Sequence, residues 1–170
     1  MIEHYALMTI RLCLLKIYKI LLAVEVELIY FYILLHKKCS PLFISDLECL
    51  IKELLFGHSF GGLFVLYTLL SKPQSFTHYV CASPSLWWGE GKFLSLPLRL
   101  RNNPDSIIFT LGSLEKDSKR KQSIKLEEII QDLQINAPNP KSIVFIELDG
   151  QSHGSSIPYA LQIGLEIFMK

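Results

Sequence analysis

The amino-acid sequence predicts an α/β fold in which a mostly parallel sheet is flanked by helices, preceded by a helical apolar N-terminal segment. From residue 54 onward, short apolar runs typical of strands alternate with longer runs of helical periodicity. This alternation predicts parallel strands joined by right-handed crossovers, with ligand-binding residues at the carboxyl ends of the strands. Half of the 170 residues are hydrophobic and 19% are charged, which suffices for the core of one domain.

The amino-terminal segment is the least regular part of the sequence. Residues 5–35 are strongly apolar, but five charged residues interrupt them. A membrane-spanning helix requires about 20 predominantly apolar residues. The charges therefore favour a helix that packs on the rest of the protein, and not a membrane span. The alternation at residues 24–28 also fits a short strand, and Ser45–Glu48 has the pattern of a capping box that opens a helix to about residue 52. The interrupting charges are Arg11, Lys16, Lys19, Glu25 and Glu27.

The later elements follow one another regularly. Apolar runs predict strands at residues 54–56, 77–82, 106–111 and 142–148. Helical periodicity predicts helices at residues 63–70, 118–135 and 156–168. Pro73 ends the first of these helices, and Pro138 and Pro140 end the second.

The motif Gly57-His58-Ser59-Phe60-Gly61 lies between the first of these strands and the first of these helices. A G-x-S-x-G sequence in the order strand, tight turn, helix is a nucleophile elbow, in which a strained turn lifts the serine hydroxyl above the sheet edge. We therefore predict that Ser59 is a nucleophile, with glycine at 57 and 61 because a Cβ would crowd the neighbouring strand and helix. The backbone N–H of Phe60, at the positive end of the helix, is predicted to bind an oxyanion.

A nucleophilic serine needs a base and an orienting acid, which α/β enzymes with this elbow carry in the order Ser, Asp or Glu, His. His153 lies in a glycine-flanked loop after the last predicted strand, and we predict that it is the general base. Glu115 directly follows a strand and is the preferred acid. Asp117, for which an N-cap is the alternative role, and Asp149 remain open.

His58 and two tryptophans are the predicted substrate-binding residues. His58 adjoins Ser59, but within the elbow its side chain should point away from the hydroxyl, so packing or substrate contact is expected. Trp87 and Trp88 follow a core strand and could form an apolar wall for an acyl or aromatic substrate, with core packing as the alternative. The other histidines (His4, His36 and His78) are expected at ordinary surface or core positions.

Composition argues against several other functions. The formal net charge is +1, and the basic residues at 116–125 are flanked by acidic ones, which indicates a mixed-charge helix face and not a nucleic-acid site. The four cysteines have no C-x-x-C spacing and no histidine at zinc-ligand spacing. We expect no metal and no cofactor, and we expect Cys13 and Cys81 to be buried thiols.

Residues 54–170 resemble the Putative esterase branch of the α/β-hydrolase superfamily, which contains the enterochelin (siderophore) esterases and their IroE-like relatives. The resemblance rests on Gly57–Leu63, on the distinctive Ala82-Ser83-Pro84-Ser85-Leu86-Trp87-Trp88 and on Ser152–Gly154. It implies an α/β-hydrolase fold with a serine nucleophile and a histidine base that act on ester bonds of iron-carrier or acyl substrates. Some members of this family are thought to use a Ser–His dyad without the acid.

The amino-terminal part departs from the family pattern. A complete hydrolase of this type has several strands before the elbow, and one of their loops supplies a second oxyanion N–H. Residues 1–53 contain no glycine and therefore no Gly-rich loop of this kind. We predict a partial α/β-hydrolase fold in two parts: an atypical, mostly helical apolar leader at 1–53, unrelated or frame-disrupted, and an esterase-like domain at 54–170.

The predicted function is that of a siderophore-esterase-like carboxylic-ester hydrolase, which forms an acyl-enzyme on Ser59 with a small-molecule ester. One alternative is a catalytically inactive, truncated remnant of such an esterase. Another is a membrane-anchored hydrolase held by residues 5–35, which is not favoured. A cytoplasmic location is favoured over a periplasmic or membrane-anchored one.

Overall fold

The computed structural model describes residues 31–37, 52–88, 98–100, 104–115 and 122–170. These parts contain five strands and three α-helices. The strands are β1 (Phe31–Lys37), β2 (Lys52–His58), β3 (His78–Ala82), β4 (Ser106–Gly112) and β5 (Ile143–Leu148). The helices are α1 (Phe60–Ser71), α2 (Gln122–Asn136) and α3 (Ser156–Phe168).

The strands form one five-stranded sheet in the order β1-β2-β3-β4-β5. The strands from β2 to β5 are parallel, and their registers align His58 with Ala82, Ala82 with Thr110, and Thr110 with Ile146. Because these residues lie at or near the strand ends, the segments that follow β2, β3, β4 and β5 all leave the sheet along one edge. In an open α/β sheet this is the edge where ligands bind.

Two hydrophobic cores cover the two faces of the sheet, because successive strand residues point to opposite sides. In β3, Tyr79 and Cys81 belong to the core that contains residues of α1 and α2. Val80 and Ala82 belong to the other core, which contains residues of α3. Burial on both faces explains why the parallel strands read as nearly continuous apolar runs, and it confirms that Cys81 is a buried thiol.

Residues 31–37 form a strand, whereas the sequence predicted a mostly helical leader. β1 pairs antiparallel with the full length of β2, from Phe31 opposite His58 to Lys37 opposite Lys52. This pairing gives hydrogen-bond partners to backbone groups at that edge of β2, which outweighs the weak helical preference of a short apolar run. The capping box at 45–48 and the helix that it was expected to open lie outside the described residues up to residue 51, and at Lys52, where that helix was expected to end, the chain is already in β2. The alternating residues 24–28 also lie outside the described residues, and the division at residue 53 stays a prediction.

From β2 onward the predicted order of strands and helices is confirmed. The helix α3 begins and ends at the predicted residues, Ser156 and Phe168. The helix α1 begins at Phe60, earlier than the predicted Leu63, because the weak helix formers Gly61 and Gly62 hide its first turn in the sequence. Within the part of the chain that the structure describes, none of the helices combines the length and the apolar character that crossing a membrane requires.

Candidate active site

Ser59 forms the tight turn between β2 and α1. Its φ of 58° and ψ of −117° lie in a region that residues other than glycine rarely adopt, so the predicted strained turn is confirmed. Two main-chain hydrogen bonds hold the turn: the Ser59 N–H donates to the Ala82 carbonyl at 3.0 Å, and the Leu63 N–H donates to the Ser59 carbonyl at 3.0 Å. A Cβ on Gly57 would collide with the Gly61 carbonyl, which explains the glycine before the turn.

Ser59, His153 and Glu115 form a continuous hydrogen-bonded triad. The Ser59 Oγ lies 3.0 Å from His153 Nε2, and His153 Nδ1 lies 2.6 Å from Glu115 Oε2. Ser59 follows β2, Glu115 follows β4 and His153 follows β5, so the parallel sheet closes a separation of 94 residues between serine and histidine. Among the acids that the sequence left open, Glu115 is the one that the structure brings to His153, and Asp117 lies outside the described residues.

The carboxylate of Glu115 is buried and held at both oxygens. Its Oε1 accepts hydrogen bonds from the Ser83 hydroxyl at 2.7 Å and from the Gly112 N–H at 2.9 Å. Burial raises the pKa of Glu115, but the hydrogen bonds from His153, Ser83 and Gly112 outweigh burial and lower that pKa below its ordinary value. The carboxylate is therefore ionised at neutral pH and accepts the Nδ1–H of His153, which leaves the Nε2 lone pair facing Ser59.

The loop between β5 and α3 carries His153. Gly150 turns the chain with a φ of 66°, and its N–H donates to the Ser113 Oγ at 2.8 Å, which ties this loop to the turn that carries Glu115. The Ser156 Oγ, at the start of α3, donates to the His153 carbonyl at 2.9 Å. The His153 imidazole is 34% exposed whereas Glu115 is 5% exposed, so the imidazole can reach a ligand while the carboxylate is shielded from water.

His58 is buried against the ring of His153. Its ring centroid is 4.5 Å from that of His153, with the two planes inclined by 48°, and only 4% of the residue is exposed. Its Nε2 has no hydrogen-bond partner among the described residues. Burial and, next, the charge of His153 lower the pKa of His58 from 6.5 to about 4, so His58 is neutral at physiological pH. This placement favours packing, one of the two roles predicted for it, over substrate contact.

Two serines of the loop after β3 reach the triad, and the sequence predicts a role for neither of them. Ser83, with a φ of 41°, donates to Glu115, and the Ser85 Oγ lies 3.0 Å from the Ser59 Oγ. Both serines are fully buried. The signal that could have identified them is their position: polar residues directly after a core strand of a parallel sheet share an edge with Ser59.

Three aromatic residues follow site residues closely in the chain: Phe60 comes directly after Ser59, and Trp87 and Trp88 come directly after the loop with Ser85. The Phe60 ring meets Trp87 edge to face, with centroids 5.5 Å apart. Trp87 is 39% exposed and Trp88 is 54% exposed, so neither residue is fully buried in the core, which was the alternative to an apolar wall. Among the described residues, no group of three or more His, Cys, Asp and Glu side chains could hold a metal ion.

A parallel α/β sheet with a serine in the elbow after one strand, a carboxylate after a later strand and a histidine after the last defines the α/β-hydrolase class. Residues 44–141 match a family model described as Putative esterase, which covers more than half of the 170 residues. The chain therefore belongs to the Putative esterase family, as the resemblance of its motifs implied.

Curated and solved relatives agree with this family. The ferri-bacillibactin esterase BesA of Bacillus subtilis is 33% identical over 114 residues, which are 63% of this chain and 39% of that protein. The siderophore triacetylfusarinine C esterase of Aspergillus fumigatus is 37% identical over 78 residues, which are 42% of this chain and 27% of that protein.

Two solved structures are similar in fold. The siderophore hydrolase EstA from Aspergillus nidulans has a TM-score of 0.55 and 27% identity, over 67% of this chain and 47% of that one. The BES protein from Bacillus cereus has a TM-score of 0.55 and 27% identity, over 68% of this chain and 45% of that one. The chain thus spans less than half the length of each of these relatives.

Proposed function

We propose that this chain is a serine esterase that hydrolyses a small-molecule ester through an acyl-enzyme on Ser59. The observation that carries the proposal is the unbroken run of hydrogen bonds from the Ser59 hydroxyl through His153 to Glu115. A serine hydroxyl is a weak nucleophile at neutral pH unless a base takes its proton, and here the base is 3.0 Å away with its lone pair aligned by an ionised carboxylate.

The chemistry proceeds in two steps. In acylation, the proton of Ser59 passes to His153 Nε2 while the Ser59 Oγ bonds to the ester carbonyl carbon. His153 then protonates the leaving alcohol, and the ester C–O bond breaks. In deacylation, His153 takes a proton from water, the resulting hydroxide attacks the acyl carbon, and Ser59 regains its proton as the acid leaves. Glu115 stabilises the imidazolium in both steps.

The start of α1 supports an oxyanion site beside Ser59. Phe60 is the first residue of this 12-residue helix, so its backbone N–H lies at the positive end of the helix dipole. A tetrahedral intermediate on Ser59 would place its negative oxygen near this end. Donors of this kind contribute about 10²- to 10³-fold to the rate.

The substrate class that we propose is an ester of a siderophore or a related acyl ester. Two observations support it: the names of the relatives, which include esterases of ferri-bacillibactin and triacetylfusarinine C, and the exposed Trp87 and Trp88, the second of which is bonded through its N–H to the Ser85 carbonyl. Flat aromatic side chains offer stacking area to the planar groups of such a ligand.

A covalent probe tests the nucleophile directly. A fluorophosphonate should label the folded 170-residue chain, and Ser59→Ala should abolish the label. The matched control is Ser71→Ala, because Ser71 lies exposed at the far end of the same helix and its Oγ bonds only locally, to the Tyr67 carbonyl at 2.7 Å. Labelling of Ser71→Ala at the wild-type rate is expected. A folded wild-type protein that takes no label would favour the inactive remnant over the esterase.

Turnover tests the substrate class. The chain should release p-nitrophenol from a short p-nitrophenyl ester, and chromatography with mass detection should show cleavage of bacillibactin, enterobactin or triacetylfusarinine C in their iron-loaded forms. Cleavage of the p-nitrophenyl ester alone would retain the esterase and reject the siderophore class.

A further inference from the structure

The hydroxyl of Ser85 touches the atom on which the proposed chemistry takes place. Ser85 is fully buried, and its Oγ lies 3.0 Å from the Ser59 Oγ. The main chain of Ser85 is already anchored without this contact. Its N–H donates to the Ser59 carbonyl at 3.0 Å, and its carbonyl accepts the Trp88 N–H at 3.1 Å. The side-chain contact is therefore not needed to hold the loop after β3 in place.

Proton counting gives the direction of the bond between the two hydroxyls. In the neutral imidazole, which is the form that can act as a base, only one ring nitrogen carries a proton. The ionised Glu115 takes the Nδ1–H of His153, so Nε2 of this form can only accept. The Ser59 hydroxyl must then donate its single proton to Nε2 in the hydrogen bond between them. Since Ser59 has no second proton, the hydrogen bond at 3.0 Å between the two Oγ atoms has Ser85 as its donor and Ser59 as its acceptor.

We propose that Ser85 is a further catalytic residue, which donates a hydrogen bond to the nucleophilic oxygen of Ser59. This inference rests on the proposed esterase function. The donor fixes the Ser59 hydroxyl in the orientation that faces His153, because it occupies one lone pair of the oxygen and leaves the other for attack. A preorganised donor does so without reorganisation during the reaction.

The same donor assists bond making and bond breaking. As Ser59 gives up its proton to His153, its oxygen gains negative character before the bond to the carbonyl carbon is complete. When the acyl-enzyme breaks, the electron pair of the C–O bond returns to the same oxygen before His153 delivers the proton. In both steps the Ser85 hydrogen bond strengthens with the charge, and Ser85 keeps its own proton throughout.

The test is the rate of acylation in a series at position 85. Ser85→Ala removes the donor and should lower the second-order rate constant of fluorophosphonate labelling, and kcat for a p-nitrophenyl ester, about tenfold, which is the range expected for one lost hydrogen bond in a transition state. KM should stay unchanged, because the donor contacts the serine and not the ester. Ser85→Thr retains the donor and should label within about threefold of the wild-type rate.

Ser85→Cys separates the hydroxyl from its volume. A thiol fills the same space but donates weakly, so this variant should label as slowly as Ser85→Ala. The control for removal of a buried hydroxyl is Ser142→Ala. Ser142 is buried beside β5, remote from the triad in the sheet, and its Oγ donates to the Asn139 carbonyl at 2.9 Å. This variant should lose stability in thermal unfolding without slower labelling.

The failure of this inference is distinguishable from failure of the esterase. If the wild-type chain labels at Ser59 and folded Ser85→Ala or Ser85→Cys labels at the same rate, the role of Ser85 is overturned and the esterase stands. If the folded wild-type chain takes no label, the proposed function itself fails. Slow labelling of the alanine and cysteine variants together with rescue by threonine supports the inference.

Discussion

The buried His58 should make the stability of this protein fall on mild acidification. Its pKa is lowered from 6.5 to about 4 in the folded chain, first because burial disfavours its charged form and second because of the charge of His153. Between these two values the unfolded chain binds a proton at this side chain and the folded chain does not. The contribution of His58 to the free energy of unfolding is therefore greatest above pH 6.5 and falls as the pH drops towards about 4.

The size of this effect follows from the two pKa values. Each pKa unit corresponds to about 1.4 kcal/mol, so a fall to roughly pH 5 should cost about 2 kcal/mol through His58 alone. That is a large fraction of the marginal stability of a domain. The variant His58→Leu has a side chain of similar volume that takes no proton, so it should lack this part of the pH dependence. Because the variant no longer buries the unpartnered Nε2, its free energy of unfolding at neutral pH should be at least as high as that of the wild type.

Urea unfolding of the wild type and of His58→Leu at about pH 8 and pH 5 measures the difference. We expect the wild type to lose about 2 kcal/mol more than the variant across this interval. Equal losses in the two proteins would refute the buried neutral state of His58. A wild type that becomes more stable on acidification would reverse the sign of the argument altogether.

Three further predictions concern the triad and the elbow. Glu115→Gln should lower kcat for a p-nitrophenyl ester by about 10³- to 10⁴-fold with the fold intact, because the amide can hold His153 in the wrong tautomer; a loss under tenfold would instead indicate a Ser–His dyad. Ser83→Ala should raise the pKa of Glu115, since the Ser83 hydroxyl is one of the bonds that keep this pKa low; an NMR titration of the Glu115 side-chain carboxyl that shows no rise would contradict it. Gly62→Ala should destabilise the fold by more than about 2 kcal/mol in urea unfolding, because its Cβ would lie 2.6 Å from the Ala82 carbonyl oxygen. Gly154→Ala, whose Cβ meets nothing within 4 Å, should have little effect.

Much of the site could be predicted from the sequence because its signals are local. The elbow motif sets Ser59 between a strand and a helix, and the order of Ser59, Glu115 and His153 matches that of α/β enzymes with this elbow. The choice of Glu115 among three acids followed from its position directly after a strand. The distances of 3.0 Å and 2.6 Å within the triad depend on strand order and register, which no local pattern contains.

The features that the sequence did not predict are those that depend on pairing in three dimensions. Residues 31–37 read as part of a mostly helical leader, yet they pair with the edge of β2. The sequence predicts no role for Ser83 and Ser85, since the partners of a buried serine are not defined until β3 is placed between β2 and β4. The sequence likewise did not decide whether Trp87 and Trp88 form an exposed apolar wall or pack in the core.

The origin of each triad member on a separate parallel strand has a consequence for folding. A slip of one residue between β4 and β5 would shift the histidine loop by about 3.3 Å, farther than proton transfer tolerates. A Ser59 that reacts with a fluorescent fluorophosphonate is thus evidence that all four parallel strands are paired in the correct order and register. During refolding, the labelled fraction would report the fraction of molecules in which the sheet is assembled, whereas circular dichroism would already respond to isolated helices.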